Sequence, residues 1–179
     1  MIIEKVIVSK ILRDYFFITG IFDIDARYFK KRIEEGVQNS NINYKTNVVG
    51  KHTEWTFFNK DEQFKILLLQ MIDHLEGLST PTAPFHLSES WGIIEKFGDY
   101  TKSHDHGSSY LSGVLYINDH PQKLYFPTIN QEIIPKKGRF VIFSSFLTHH
   151  TLRNLKQKEK YAISFNFSST NVGDLKLNG

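Results

Sequence analysis

Cysteine is absent from the 179 residues. Disulfides, thiolate zinc sites and cysteine nucleophiles are excluded with it, so any metal must be held by nitrogen and oxygen. Long apolar runs are missing too, for no stretch approaches the roughly 18 residues of a membrane span. The start, "MIIEKVIVSKILRDYFF", carries an acidic residue early and no unbroken apolar core. It does not read as a secretory signal, and a cytoplasmic protein is expected. Nor is there a block of one charge. The formal net charge is +3, from 22 Lys and Arg against 19 Asp and Glu, and the densest basic run, "KQKEK" at 156–160, is broken by Glu159. A solvated loop accounts for that run, and no nucleic-acid partner is expected. Internal repeats and low-complexity tracts are also lacking. What remains is a globular composition, 40% hydrophobic and 14% aromatic, which argues for one domain over 1–179 and against disorder.

The first eighty residues read as strands and supporting helices. "IIEKVIVS" and "DYFFITGIF" are β-prone. In "DIDARYFKKRIEEGV", Asp23 or Asp25 can cap a helix whose apolar positions Phe29, Ile33 and Val37 fall four apart, with Gly36 marking its end. "NKDEQFKILLLQMIDHLEGL" predicts a second helix, capped by Asn59 and ended by Gly77. Its apolar face is Phe64, Leu67, Leu68, Met71, Ile72 and Leu75. From Phe85 the texture changes to short β-prone runs at 85–97, 111–117, 123–126, 139–143 and 161–167, separated by Gly, Pro, Asn and Asp. Helices followed by many short strands predict a mainly β (α+β) sandwich or barrel with helices packed outside it.

Two histidines stand one residue apart in "SHDHGSSYLSGVLYIN". On extended chain, residues i and i+2 share a face, so His104 and His106 project together and Asp105 projects away. Two imidazoles so placed reach one cation, and "FLTHHTLRN" offers a third through His149 or His150, which fall on opposite faces. Spacing alone leaves them either ligands or loop histidines, while His52, His74, His86 and His120 read as ordinary loop or core residues. In "KYAISFNF", Tyr161, Ile163, Phe165 and Phe167 share a core-like face. Lys160, Ala162, Ser164 and Asn166 share a small, polar one suited to the floor of a pocket. Ser112 and Tyr116 share a face of the preceding strand, as barrel interior or as hydrogen-bonding groups. Trp91 reads as core. The polar run before the second helix, with His52, Thr53 and Trp55, reads as a loop over a barrel mouth.

The segments "SWGIIEKFGDYTKSHDHGSSYLSGVLYI", "IPKKGRFVIFSSFLTHHTLRN" and "KYAISFNF" together resemble the iron(II)- and 2-oxoglutarate-dependent oxygenase superfamily, in a small bacterial and phage-associated branch. The resemblance spans residues 85–167, and its specificity lies in the order of the pieces. It implies a double-stranded β-helix, the cupin-like jelly roll, with the N-terminal helices buttressing one sheet. It implies His104, His106 and His149 as ligands of Fe(II), with His150 facing away. Three ligands on one octahedral face leave room for the keto and carboxylate oxygens of 2-oxoglutarate and for dioxygen. The reaction implied is hydroxylation coupled to oxidative decarboxylation of 2-oxoglutarate to succinate.

Two departures stand out against that pattern. The superfamily commonly supplies one carboxylate where this chain has His106, which leaves the site one negative charge short and open to other metals; Asp105 restores the usual set only if the backbone there is not extended. The cosubstrate's far carboxylate is commonly met by an Arg about ten residues past the distal His, and here the matching position is Lys160, a point charge without bidentate geometry. Arg153 is the substitute anchor. Two other readings follow: a non-catalytic jelly-roll binding module, and a metal-dependent cupin enzyme that uses no 2-oxoglutarate. The substrate is not legible, and a β-prone N-terminal edge offers a route to a homodimer.

Overall fold

The computed structural model describes residues 14–42, 44–76 and 85–169. "IIEKVIVS", Gly77 and the chain beyond 169 lie outside them, as do the side chains of His74 and Leu75. In chain order the elements are β1 (Phe17–Ile21), α1 (Ala26–Gln38), β2 (Val48–Val49), β3 (Lys51–His52), α2 (Glu62–Glu76), β4 (Phe85–Glu95), β5 (Tyr100–Thr101) and β6 (Leu111–Tyr116). Then come β7 (Leu124–Phe126), β8 (Gln131–Ile133), β9 (Arg139–Ser144), β10 (His150–Thr151) and β11 (Lys160–Ser169). The large sheet is antiparallel, in the order β1-β9-β6-β11-β4-β3; β10-β7-β8 form a second sheet and β2-β5 a short third.

Strand alternation divides the interior in two. One face of the large sheet turns Leu111, Leu115, Ile163, Phe165 and Phe167 toward the helices, where they meet Phe29, Ile33, Phe64, Leu68 and Met71. The other face turns Val114, Val141, Phe143 and Ala162 toward Leu124, Phe126 and Ile133 of the second sheet. Helices, large sheet and small sheet are thus three layers around two apolar seams, a mainly β jelly-roll arrangement. Each buried Phe in these seams removes 150–250 Å² from water, so the Phe-rich composition is spent here.

The helices differ in detail from what the sequence predicts. Asp25, not Asp23, caps α1, its side chain accepting from the Tyr28 amide at 3.0 Å. Gly36 does not end that helix: it is buried within it, against Thr53 and Phe57, and α1 runs on to Gln38. Asp61 rather than Asn59 starts α2, accepting from the Phe64 amide at 3.0 Å. Asn59 lies in the preceding turn and binds Ser88 and Ser90 of β4 instead. Asp61 also takes the Tyr28 hydroxyl at 2.8 Å, which ties α1 to α2. Gly138 turns the chain into β9 with φ of 76°, and a Cβ there would overlap the Phe22 carbonyl, so glycine is required.

Candidate metal centre

Two loops meet at one end of the jelly roll. A single antiparallel bridge joins them: the His104 amide donates to the His149 carbonyl at 3.1 Å and the His149 amide returns the bond at 2.9 Å. The His106 amide donates to the Ser145 carbonyl at 2.9 Å. The chain at 104–106 is therefore pinned by backbone bonds without being a full strand. Its i, i+2 alternation still holds, for Asp105 is exposed while both histidines turn inward.

The three rings converge. Centroid separations are 4.8 Å for His104 and His106, 4.4 Å for His104 and His149, and 5.2 Å for His106 and His149. One ring nitrogen from each lies within 4.8 Å of the others. Nitrogens sharing one octahedral face stand roughly 3 Å apart, so small ring rotations close the set. Nδ1 of His104 donates to the Lys102 carbonyl at 2.8 Å, and Nδ1 of His149 to the Leu147 carbonyl at 2.9 Å. A carbonyl can only accept, so these contacts fix the proton on Nδ1 and leave Nε2 as a bare lone pair, the arrangement that orients metal-binding imidazoles.

Burial also keeps the rings neutral. Desolvation, reinforced by the neighbouring His104, holds His106 down at about 4 and His149 at about 3, and burial lowers His104 in the same direction. Phe143 packs against His149 at 4.8 Å between centroids, and Phe126 at 5.6 Å. The donor chemistry fits a borderline divalent cation such as Fe(II). His150 points away from the cluster and stacks on Tyr125 at 5.5 Å.

Behind the cluster lies a narrow inner chamber, part of it open to solvent. Its floor is the small, polar face of β11, Lys160, Ala162, Ser164 and Asn166, with Ser112 and Tyr116 of β6 beside it. Burial and Glu95 raise Tyr116 well above the ordinary phenol, so its hydroxyl stays a donor. Lys160 is 4% exposed and pairs with Glu95, which is fully buried. Arg153 is not in the chamber: it is exposed, donates to the Gly98 carbonyl at 3.0 Å and lies over Tyr100. Trp91 is buried, but it faces the chamber rather than an apolar core, and its indole N–H has no hydrogen-bond partner.

A more open outer chamber adjoins the first, and His104, His106 and Trp91 border both. Trp55 and Glu89 line its wall. Trp55 meets Trp91 edge to face at 5.0 Å, whereas Thr53 and His52 are buried props of β4 and the loop before α2. Asn166 accepts from Ser112 at 2.8 Å and donates to Glu89 at 2.9 Å, which links inner floor to outer wall. Glu95 and Glu89 are absent from the sequence reading. Glu95 carried a signal nonetheless, since it stands at i+4 from Trp91 on one face of a strand and breaks the apolar run "WGIIE".

No protein-family model and no curated protein sequence matches the chain. Solved structures do. The 2-oxoglutarate complex of a viral collagen prolyl hydroxylase from Paramecium Bursaria Chlorella virus-1 aligns with a TM-score of 0.67 at 16% identity, covering 86% of this chain and 94% of that one. A Pseudomonas putida prolyl-4-hydroxylase gives 0.62 at 18%, covering 87% and 93%. HygX from Streptomyces hygroscopicus, with nickel and 2-oxoglutarate bound, gives 0.62 at 12%, covering 87% and 83%. The fold is therefore the jelly roll on which these proteins are built. At such identities the likeness carries the architecture, and the chemistry rests on the residues described above.

Proposed function

We propose that this chain is an Fe(II)- and 2-oxoglutarate-dependent dioxygenase that hydroxylates a substrate entering through the outer chamber. The observation that carries the reading is the cluster of His104, His106 and His149, whose donor nitrogens lie within 4.8 Å at the inner end of a fold shared with 2-oxoglutarate-binding proteins. These three would hold the metal, and Lys160 would meet the far carboxylate of the cosubstrate. When bound, the iron supplies the oxidising chemistry that couples decarboxylation of 2-oxoglutarate to hydroxylation of the substrate. The protein's part is positional. The carbonyls of Lys102 and Leu147 orient two imidazoles, Phe126 and Phe143 keep water from His149, and Tyr116 and Ser164 offer hydroxyls to the chamber. A cytoplasmic setting belongs to the same reading, because a reducing compartment keeps iron ferrous; no helix among the described residues is long and apolar enough to cross a membrane.

The test is anaerobic titration of the apo-protein with Fe(II) and then 2-oxoglutarate, watching for the weak visible charge-transfer band of a chelated keto acid. The band is expected in the wild type and absent in His149→Ala, which should also make no succinate. Succinate formation at the wild-type rate by His104→Ala or His149→Ala overturns the assignment. A second reading, a metal-dependent cupin enzyme that uses no 2-oxoglutarate, is favoured by one observation: Lys160 already has a counter-ion. Iron binding with no band and no succinate under any substrate would establish it.

A further inference from the structure

The inner chamber ends on a charge pair closed upon itself. Glu95 and Lys160 are cross-strand partners at the last residue of β4 and the first of β11, with 0% and 4% of their surfaces exposed. Glu95 is held from a second side, because its Oε1 accepts from the Thr101 hydroxyl at 2.9 Å. Among the described residues lining the chamber, Lys160 is the one ammonium and Glu95 the one carboxylate. Tyr116 stays a neutral phenol and burial lowers His120, while Arg139 and Lys158, the further cations felt by those two groups, do not line the chamber.

A dicarboxylic keto acid whose far end reaches Lys160 would bring a second carboxylate to an ammonium already matched. Two carboxylates sharing one buried cation repel each other at short range, and the displaced one loses its partner where water does not replace it. We infer that Glu95 sets cosubstrate affinity and selectivity by competing with the distal carboxylate of 2-oxoglutarate for Lys160. The chamber consequently separates 2-oxoglutarate from a 2-oxo acid with an uncharged tail far less than a lone lysine would. The inference rests on the oxygenase reading above and names the residue in this chain that departs from simple cation recognition. Selectivity is a difference of two affinities, and an unmatched charge lowers one of them.

The experiment compares binding of 2-oxoglutarate and 2-oxovalerate to the Mn(II)-loaded protein by calorimetry, without turnover, in wild type and Glu95→Gln. The amide keeps the volume and can still accept from Thr101. The affinity ratio of 2-oxoglutarate to 2-oxovalerate is expected to rise at least tenfold, with 2-oxovalerate itself changing less than threefold. The apo variant should melt lower than wild type, and 2-oxoglutarate should raise its Tm by more than it raises the wild type's. Glu95→Asp, which draws the carboxylate back by one methylene, is the second variant and should move the ratio in the same direction. An unchanged or smaller ratio in the folded variants overturns the role of Glu95 alone. Metal binding with no 2-oxo acid bound by wild type or either variant overturns the oxygenase reading and this inference together.

Discussion

At the scale of single residues, the imidazole cluster makes two predictions. His104→Ala should weaken Fe(II) or Mn(II) binding at least a hundredfold, while His150→Ala, removing a ring stacked on Tyr125, should change it less than threefold; calorimetry on apo-protein measures both. Because His106 sits at about 4 and His149 at about 3, with His104 also lowered, few protons need leave when metal binds at pH 6. Affinity at pH 6 should stay within about threefold of that at pH 7.5, whereas three imidazoles titrating near 6.5 would lose more than tenfold. The convergence of His104, His106 and His149 was legible because a His-x-His repeat reads its own geometry and because an ordered series of motifs frames it. Glu95 was not, since a buried glutamate is recognised by its partner, and that partner lies 65 positions along the chain, from 95 to 160, set only by strand register. Trp91 misled for a related reason: burial is common to core and chamber wall, and sequence does not tell the two apart.

At the scale of elements, long periodic segments were legible and their ends were not. The apolar stripe of α2 is buried as its spacing predicts at Phe64, Leu67, Leu68 and Met71. Its cap shifted from Asn59 to Asp61 because the turn that holds Asn59 runs on through Lys60 before the helix begins at Glu62, and propensity does not count such residues. Both caps are open to test by thermal or denaturant unfolding. Asp25→Ala should cost about 1 kcal/mol, against less than about 0.5 kcal/mol for Asp23→Ala. Asp61→Ala should cost about 2–3 kcal/mol, because the Tyr28 hydroxyl and Arg32 lose a buried partner along with the helix end. The five principal strands from 85 onward follow the β-prone runs closely. Strands of two or three residues, β2, β3, β5, β8 and β10, escaped notice because a pair of bonds across a barrel mouth leaves no periodic trace.

At the scale of the whole molecule, layers and cluster combine to tie stability to pH. Each of the three histidines has a folded value below its ordinary 6.5, so the unfolded chain takes protons that the native state refuses. The stabilisation is fully present above about pH 6.5 and is lost as pH falls toward 4, by about 2 kcal/mol per imidazole at pH 5 for His106 and His149. Replacing His106 with Gln should flatten the fall of apo Tm between pH 7 and 5, and an unaltered slope would refute this account. The paired amides of His104 and His149 have a further consequence. They are the reciprocal backbone bonds of an isolated bridge, so local opening of the two loops there breaks both together. A cation gripping the side chains of the same two residues must slow that opening. The exchange rates of these two amide protons against deuterium thus form a built-in gauge of occupancy, readable in the intact protein without any substrate.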